Sequence, residues 1–171
     1  MKIEKCLLKK MNGYDALLYS AMCQLLHPYD DLLEVSNEYL MGRIFELSKC
    51  DFSKSLSRLE ENGYIKTFHQ AKGNPFYYLK ESITPGEYLV IDSMADRMMN
   101  PAERVFNAYI NDIFNSGRKR IKIKEMQRIL NPVETYDDPI KNWDAYLEEY
   151  NVFRTDNVYY TLIEPVNSVA T

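Results

Sequence analysis

The stretch from residue 36 to residue 81 limits the possible folds more than any other part of the chain, because helix, turn and strand signals follow one another there. Ser36 is a capping residue, and apolar residues at helical spacing predict a helix from it to about Ser48. Asp51 is predicted to cap a second helix, which ends at Gly63 because glycine adopts the left-handed conformation without a Cβ clash. The apolar residues of that helix recur at spacings of four and three, at Phe52, Leu56 and Leu59.

Two segments rich in β-forming residues follow, at 64–70 and 76–80, and the Ala-Lys-Gly-Asn sequence at 71–74 is typical of a hairpin turn. Two helices followed by a hairpin is the order of a winged helix-turn-helix, and the chain resembles that family. The residues that carry the resemblance are Leu47, Ser48, Phe52, Ser55, Leu56, Leu59, Glu60, Gly63, Tyr64 and Ile65. The resemblance covers about 45 residues and implies a DNA-binding module.

The second half of the chain repeats this pattern at a shift of about 88 residues. Asn12 and Asn100 are equivalent capping residues, each ahead of a predicted amphipathic helix. The sequence Leu-Glu-Glu at 59–61 recurs at 147–149, and the aromatic residues of the two predicted hairpins also correspond. Matches that keep the same order, with gaps in loops, indicate an internal repeat.

We therefore predict an α+β protein of two tandem winged-helix domains, each with three helices and a β-hairpin wing. The N-terminal domain spans 1–82, a linker spans 83–86, and the C-terminal domain spans 87–171. The predicted elements of the second copy are a strand at 120–123, a helix at 124–130, a third helix beginning at Asp138 and a hairpin at 152–164. In the first copy, 29–35 is predicted to be a loop.

Charges are sorted along the chain, although the formal net charge is only −4. Residues 36–80 carry seven Lys or Arg and five Asp or Glu, a net charge of +2. Residues 118–128 have a net charge of +5, and residues 134–149 have a net charge of −5. Attraction to phosphate is screened beyond about 10 Å, so this local sorting matters more than the total.

The polar face of the second predicted helix and the following hairpin are the candidate DNA-binding surface. Lysine and arginine contact phosphates or guanine edges, and serine hydroxyls contact phosphate oxygens. The candidate residues are Lys49, Ser53, Lys54, Ser57 and Arg58 on the helix and Lys66, His69, Gln70, Lys72 and Asn74 on the wing. The alternative is that these residues form only the solvated face of an amphipathic helix and its hairpin.

A basic cluster in the second half is a candidate for auxiliary phosphate contacts. It consists of Arg118, Lys119, Arg120, Lys122 and Lys124. The alternatives are a solvated loop or cations paired with the acidic helix that follows the cluster. The tyrosine pairs of the two hairpins could stack on single-stranded bases, but strand alternation predicts that one member of each pair faces the core: Tyr77 or Tyr78, and Tyr159 or Tyr160.

Each unit is also similar to the N-terminal winged-helix modules of phage and plasmid replication proteins, where a strand such as that at 87–92 precedes a capped helix. This resemblance implies a sequence-specific double-stranded DNA-binding protein of a mobile genetic element, acting in replication initiation or organisation or as a transcriptional regulator. A homodimer is expected, because the first module is only slightly basic and pairing doubles its phosphate contacts.

The third helix of the second copy is acidic and would repel phosphates. Its candidate partner-binding residues are Asp137, Asp138, Asp144 and Glu148. The alternative function is therefore a protein-interaction module that blocks or recruits a host or replication protein through this helix, without binding DNA.

Catalysis finds no support in the sequence. There is no phosphate-binding glycine loop, nucleophile elbow or HExxH motif, so we expect no enzyme activity, no catalytic residues and no cofactor. The two His and three Cys lack the spacing of a metal site, so no metal is expected. With no apolar run of about 20 residues and no secretory signal, we expect a cytoplasmic protein without a membrane partner.

Overall fold

The computed structural model describes residues 1–80, 86–91, 101–130, 147–148 and 152–162, and the structural statements below concern those residues. The described chain is mixed α+β, as predicted, with five α-helices and eight short strands. No helix in these ranges is both long enough and apolar enough to cross a membrane.

The helices and strands of the first half are β1 (Lys2–Glu4), a 3-10 turn (Leu7–Lys9), α1 (Gly13–Leu25), β2 (Leu32–Glu34), α2 (Asn37–Ile44), α3 (Lys49–Glu61), β3 (Ile65–Phe68) and β4 (Phe76–Leu79). Those of the second half are β5 (Tyr88–Val90), α4 (Pro101–Asn115), β6 (Arg120–Lys122), α5 (Ile123–Leu130), β7 (Val152–Arg154) and β8 (Tyr159–Leu162). The predicted strand pairs of both hairpins and the predicted strand and helix over 120–130 are confirmed.

Each half forms one three-stranded antiparallel sheet. The strand order is β2-β4-β3 in the first half and β6-β8-β7 in the second, so the last hairpin strand is central in both. The prediction of a loop over 29–35 is wrong, because β2 lies within it and pairs with β4. Three residues are too few to show the alternation that identifies a strand in a sequence.

The turn between α2 and α3 differs from the prediction at both ends. Helix α2 ends at Ile44, where Phe45 adopts the left-handed conformation with a φ of 54°, and does not reach Ser48. Ser48, not Asp51, caps α3: its Oγ accepts a hydrogen bond from the Asp51 backbone N–H at 3.2 Å. Leu47 is 93% exposed in this turn, although its spacing predicted a buried side chain.

Helix α1 is the centre of the molecule and packs against helices of both halves. It contacts α2 and α3 of its own half and α4 and α5 of the second half. Because neighbours surround it, every side chain from Tyr14 to Met22 is buried. The two halves also share a two-stranded sheet, since β1 pairs with β5, and the buried apolar residues form one continuous core.

Gly13 lies where the two halves approach each other closely. A Cβ at this position would lie 2.9 Å from the Ile129 carbonyl oxygen at the end of α5. We expect Gly13→Ala to lower the free energy of unfolding by about 1–3 kcal/mol, because a backbone atom must move to admit the methyl group. Chemical denaturation with urea measures the change.

Gly42→Ala is the matched control, because Gly42 lies in α2 with no atom within 4 Å of the added methyl group. This control should raise the free energy of unfolding by about 0.5–1 kcal/mol, since alanine is the better helix former. Equal effects of the two substitutions would show that the halves do not pack closely at Gly13.

Candidate nucleic-acid interface

The structure orients α3 so that one side packs on the core and the opposite side faces solvent. Phe52, Ser55 and Leu59 are buried at spacings of three and four. The exposed side carries four of the predicted DNA-contacting residues: Lys49, Ser53, Lys54 and Ser57. Lys49, Ser53 and Ser57 are four residues apart and form a stripe along the helix, which Lys54 flanks.

Arg58 is set apart from this exposed stripe. Its Nη2 and Nε donate to the two carboxylate oxygens of Asp15 on α1, at 2.7 and 2.9 Å. The Asp15 side chain is 5% exposed and that of Arg58 is 32% exposed. A bidentate pair of this kind fixes orientation as well as charge, so the structure places Arg58 as a link between α1 and α3.

Two further groups complete the shell of Asp15. The Ser55 hydroxyl donates to one carboxylate oxygen at 2.6 Å, and the Asn12 side-chain amide donates to the other at 2.8 Å. Asn12 also caps α1, since its Oδ1 accepts from the Asp15 backbone N–H. Asp15 thereby links the cap of α1, at Asn12, to the buried face of α3, at Ser55. Sequence reasoning found the Asn12 cap but missed the role of Asp15 in this network.

The turn of the first hairpin gathers four of the predicted wing residues. His69, Gln70, Lys72 and Asn74 are all exposed there. The Gln70 side-chain amide donates to the Asn74 carbonyl at 3.4 Å, and Gly73 allows the chain to reverse with a φ of 119°. The turn therefore presents one cation and several hydrogen-bonding groups to solvent.

Lys66 is placed away from that turn. It lies on the outer face of the first sheet, where its Nζ is 5.2 Å from the Phe68 ring centroid. On the adjacent strand edge, Glu60 of α3 accepts a hydrogen bond from the Thr67 backbone N–H at 2.9 Å. Glu60 thus closes part of an open sheet edge, which explains an acid near the end of an otherwise basic helix face.

All five residues of the second basic cluster are exposed on or beside β6: Arg118, Lys119, Arg120, Lys122 and Lys124. Arg120 pairs with Asp156 at 3.0 Å and its guanidinium lies 4.4 Å from the Tyr159 ring centroid. The backbone N–H groups of Val158 and Tyr159, followed by Arg120, lower the pKa of Asp156. Arg118 has a looser contact with Glu125, at 4.0 Å.

The three lysines of this cluster differ from its two arginines. Lys119, Lys122 and Lys124 form no ion pair with another residue of the described ranges. Within the described residues, the cluster is therefore partly paired, through its two arginines, and partly unpaired. Most of the acidic helix in the alternative drawn from the sequence lies outside these residues.

The tyrosine pairs follow the predicted alternation. Tyr77 and Tyr160 are buried, whereas Tyr78 and Tyr159 lie on the outer faces of their sheets. Burial raises the pKa of Tyr77 to about 12, and its hydroxyl donates to the Asn37 side chain in α2. The buried tyrosines therefore join each sheet to the core and are not free to stack on bases.

The predicted partner-binding acids are described only at one position. Glu148 is exposed next to the buried Leu147. Asp137, Asp138 and Asp144 lie outside the described residues, as do the predicted start of the third helix and most of the predicted linker.

Arg104 of α4 is a buried cation that sequence reasoning did not single out. It is 2% exposed, and its Nη1 donates to the Ile44 carbonyl at the end of α2 at 2.5 Å. Its guanidinium lies 5.0 Å from the Phe45 ring centroid. Arg104, which belongs to the second half, therefore stabilises the turn that precedes α3 in the first half. Its position on the apolar side of α4, beside Val105 and Phe106, is the only sequence signal of this role.

Comparison with protein-family models gives no match, and neither the curated proteins nor the solved structures show significant similarity to this chain. The function proposed below therefore depends on the geometry of the described residues.

Proposed function

We propose that this protein binds double-stranded DNA and that α3 is the helix that enters the major groove. The observation that carries this proposal is the exposed stripe of Lys49, Ser53 and Ser57, flanked by Lys54, on a helix whose other side is anchored to the core. A helix with its side chains is about 10–12 Å wide, and the major groove is about 12 Å wide.

The anchoring of α3 supports this role. The Asp15–Arg58 pair fixes α3 against α1, and Arg104 fixes the turn that precedes it. A groove-reading helix must be presented in one orientation, because base contacts have defined geometry. Lys49 and Lys54 would contact phosphates or guanine edges, and the serine hydroxyls would contact phosphates.

The hairpin turn of the first half would contact the DNA backbone beside the groove. Lys72 supplies a charge there, and His69, Gln70 and Asn74 supply hydrogen-bonding groups. Lys119, Lys122 and Lys124 of the second half would add phosphate contacts that strengthen binding without reading sequence.

We further propose that the two halves are tandem winged-helix units. The described elements of the first half run strand, helix, strand, two helices and hairpin, and those of the second half run strand, helix, strand, helix and hairpin. Both three-stranded sheets have the equivalent strand order, with the last hairpin strand in the centre. We propose that the biological setting is origin binding or promoter control in a mobile genetic element, which is what the resemblance of the sequence pattern to phage and plasmid replication modules implies.

Fluorescence anisotropy with labelled duplex DNA tests the proposed function. We expect Lys49→Glu combined with Lys54→Glu to weaken binding at least 10-fold at low salt. The slope of log K against log salt should fall by about 2 in magnitude, because each lost phosphate contact contributes about 0.9.

Lys2→Glu is the matched control, since Lys2 is an exposed lysine on β1, in a different sheet. It should leave the affinity and the salt slope nearly unchanged. If the wild-type protein shows no salt-dependent binding to any duplex in a genomic fragment library, the proposed function is wrong. The acidic segment around Glu148 would then be the surface to examine.

A further inference from the structure

The outer face of the first sheet is apolar and has no neighbour within the described chain. Leu32 is 47% exposed, Phe68 is 43% exposed and Tyr78 is 38% exposed, one residue from each strand. The inner face of the same sheet is buried, as Leu33 and Tyr77 show. Three large apolar side chains on adjacent strands form a contiguous patch. Contiguous apolar patches indicate binding surfaces, whereas single exposed apolar residues are normal on any protein surface.

The strand register arranges six residues on this face in two rows. Leu32, Tyr78 and Lys66 lie side by side in the first row, and Glu34, Phe76 and Phe68 lie side by side in the second. Glu34 and Lys66 therefore occupy opposite corners of a small rectangle. Leu32 and Phe68 occupy the other two corners.

Glu34 and Lys66 cannot pair with each other in one molecule. Strands are about 4.8 Å apart and alternate residues about 6.8 Å apart, so these corners are separated by about 12 Å. Both side chains are exposed, and neither has an ion pair with another residue that the structure describes. The two charges flank the apolar patch, and within the described residues neither has an opposite charge beside it.

We propose that this face binds the same face of a second copy of the chain. In a two-fold symmetric dimer, contacts come in pairs. If one residue of the first copy contacts a second residue of the partner, then the same second residue of the first copy contacts the first residue of the partner. A two-fold axis that lies in the interface, perpendicular to the line from Glu34 to Lys66 at its midpoint, exchanges these two corners. Glu34 of one copy then meets the partner's Lys66, and Lys66 meets the partner's Glu34.

A second copy fits this face because the contact pairs both charges with opposite charges and buries the apolar patch at the same time. The corresponding face of the second sheet does not have this property. Arg120 and Lys122 lie on it, and the acid beside them, Asp156, is already paired with Arg120. Two copies of that face would place like charges together, which is unfavourable.

The size of the patch sets the expected affinity. A standard stable interface buries about 800 Å² on each partner, and six residues supply less than that. The dimer is therefore expected to dissociate in the micromolar range, and its formation does not depend on DNA. Dimerisation would also bury Lys66, which agrees with its separation from the other proposed DNA-contacting residues.

Sedimentation analysis of the full chain without DNA, over about 1–500 μM, tests the proposal. We expect Glu34→Lys and Lys66→Glu each to raise the dimer dissociation constant about 10-fold or more, because each places like charges together twice. The double variant should recover wild-type affinity. An equimolar mixture of the two single variants should form a heterodimer, because every meeting pair is then oppositely charged.

Glu38→Lys on α2 and Lys124→Glu on α5 are the matched controls, since both residues are exposed and lie outside this sheet. They should leave the dissociation constant unchanged, and circular dichroism should show that every variant is folded. A wild-type chain that stays monomeric at 500 μM would overturn the proposal. A dimer that is insensitive to both reversals, or that the mixture fails to restore, would overturn it as well. DNA binding by the monomer would stand in either case.

Discussion

Asp15→Ala is expected to lower the free energy of unfolding by about 3 kcal/mol. The substitution leaves the Arg58 guanidinium half-buried without its carboxylate and removes the acceptor of the buried Ser55 hydroxyl. Removing one partner of a buried ion pair costs about 3–5 kcal/mol, and the partial exposure of Arg58 places this case at the lower end. Urea denaturation followed by circular dichroism measures the loss.

A double-mutant cycle separates the pair from the rest of the network. Arg58→Ala alone should also destabilise, but the double variant should lose less than the sum of the two single variants by about 1–2 kcal/mol. Glu61→Ala is the matched control, because Glu61 is an exposed acid at the end of α3, and it should change stability by less than about 0.5 kcal/mol. Additive single effects would show that Asp15 and Arg58 do not interact in solution.

Arg104→Ala is expected to lower the free energy of unfolding by about 3 kcal/mol. A hydrogen bond from a charged donor contributes about 1.5–3 kcal/mol, and truncating a buried side chain leaves a cavity in addition. The Ile44 carbonyl at the end of α2 loses its donor, and Phe45 loses the guanidinium that packs on its ring. Thermal and urea denaturation measure the total effect.

Arg104→Met distinguishes the two contributions, because methionine refills most of the space but cannot donate. It should recover part of the loss, and hydrogen exchange of the backbone amides around Phe45 should still be faster than in the wild-type chain. Arg118→Ala is the matched control, since Arg118 is an exposed arginine with a loose contact at 4.0 Å. If Arg104→Ala behaves like this control, α4 does not hold the turn before α3.

Local signals in the sequence predicted most of the described elements, but not β2, because such signals depend only on nearby residues. The spacing of apolar residues in α1, the Asn12 cap and the glycine-containing turn of the first hairpin all act over a few positions. The cap of α3 was misplaced for the same reason, because Ser48 and Asp51 are both good capping residues three positions apart. Choosing between them requires the path of the preceding turn.

Contacts between distant residues could not be predicted in this way. Asp15 and Arg58 are 43 positions apart, and Arg104 meets Ile44 across 60 positions. Periodicity grouped Arg58 with the exposed face of α3, because it gives no information about an acid on another helix that approaches this residue. The diagonal placement of Glu34 and Lys66 on the first sheet could not be predicted either, because the register of β2 is set by its pairing with β4 and not by its own three residues.

The pairing of β1 with β5 has a consequence for synthesis of the chain. β1 leaves the ribosome roughly 80 residues before β5, which at typical elongation rates is a delay of several seconds. During that interval Ile3 has no strand partner, although it is fully buried in the finished molecule. The nascent first half therefore cannot complete its share of the core until β5 has been made.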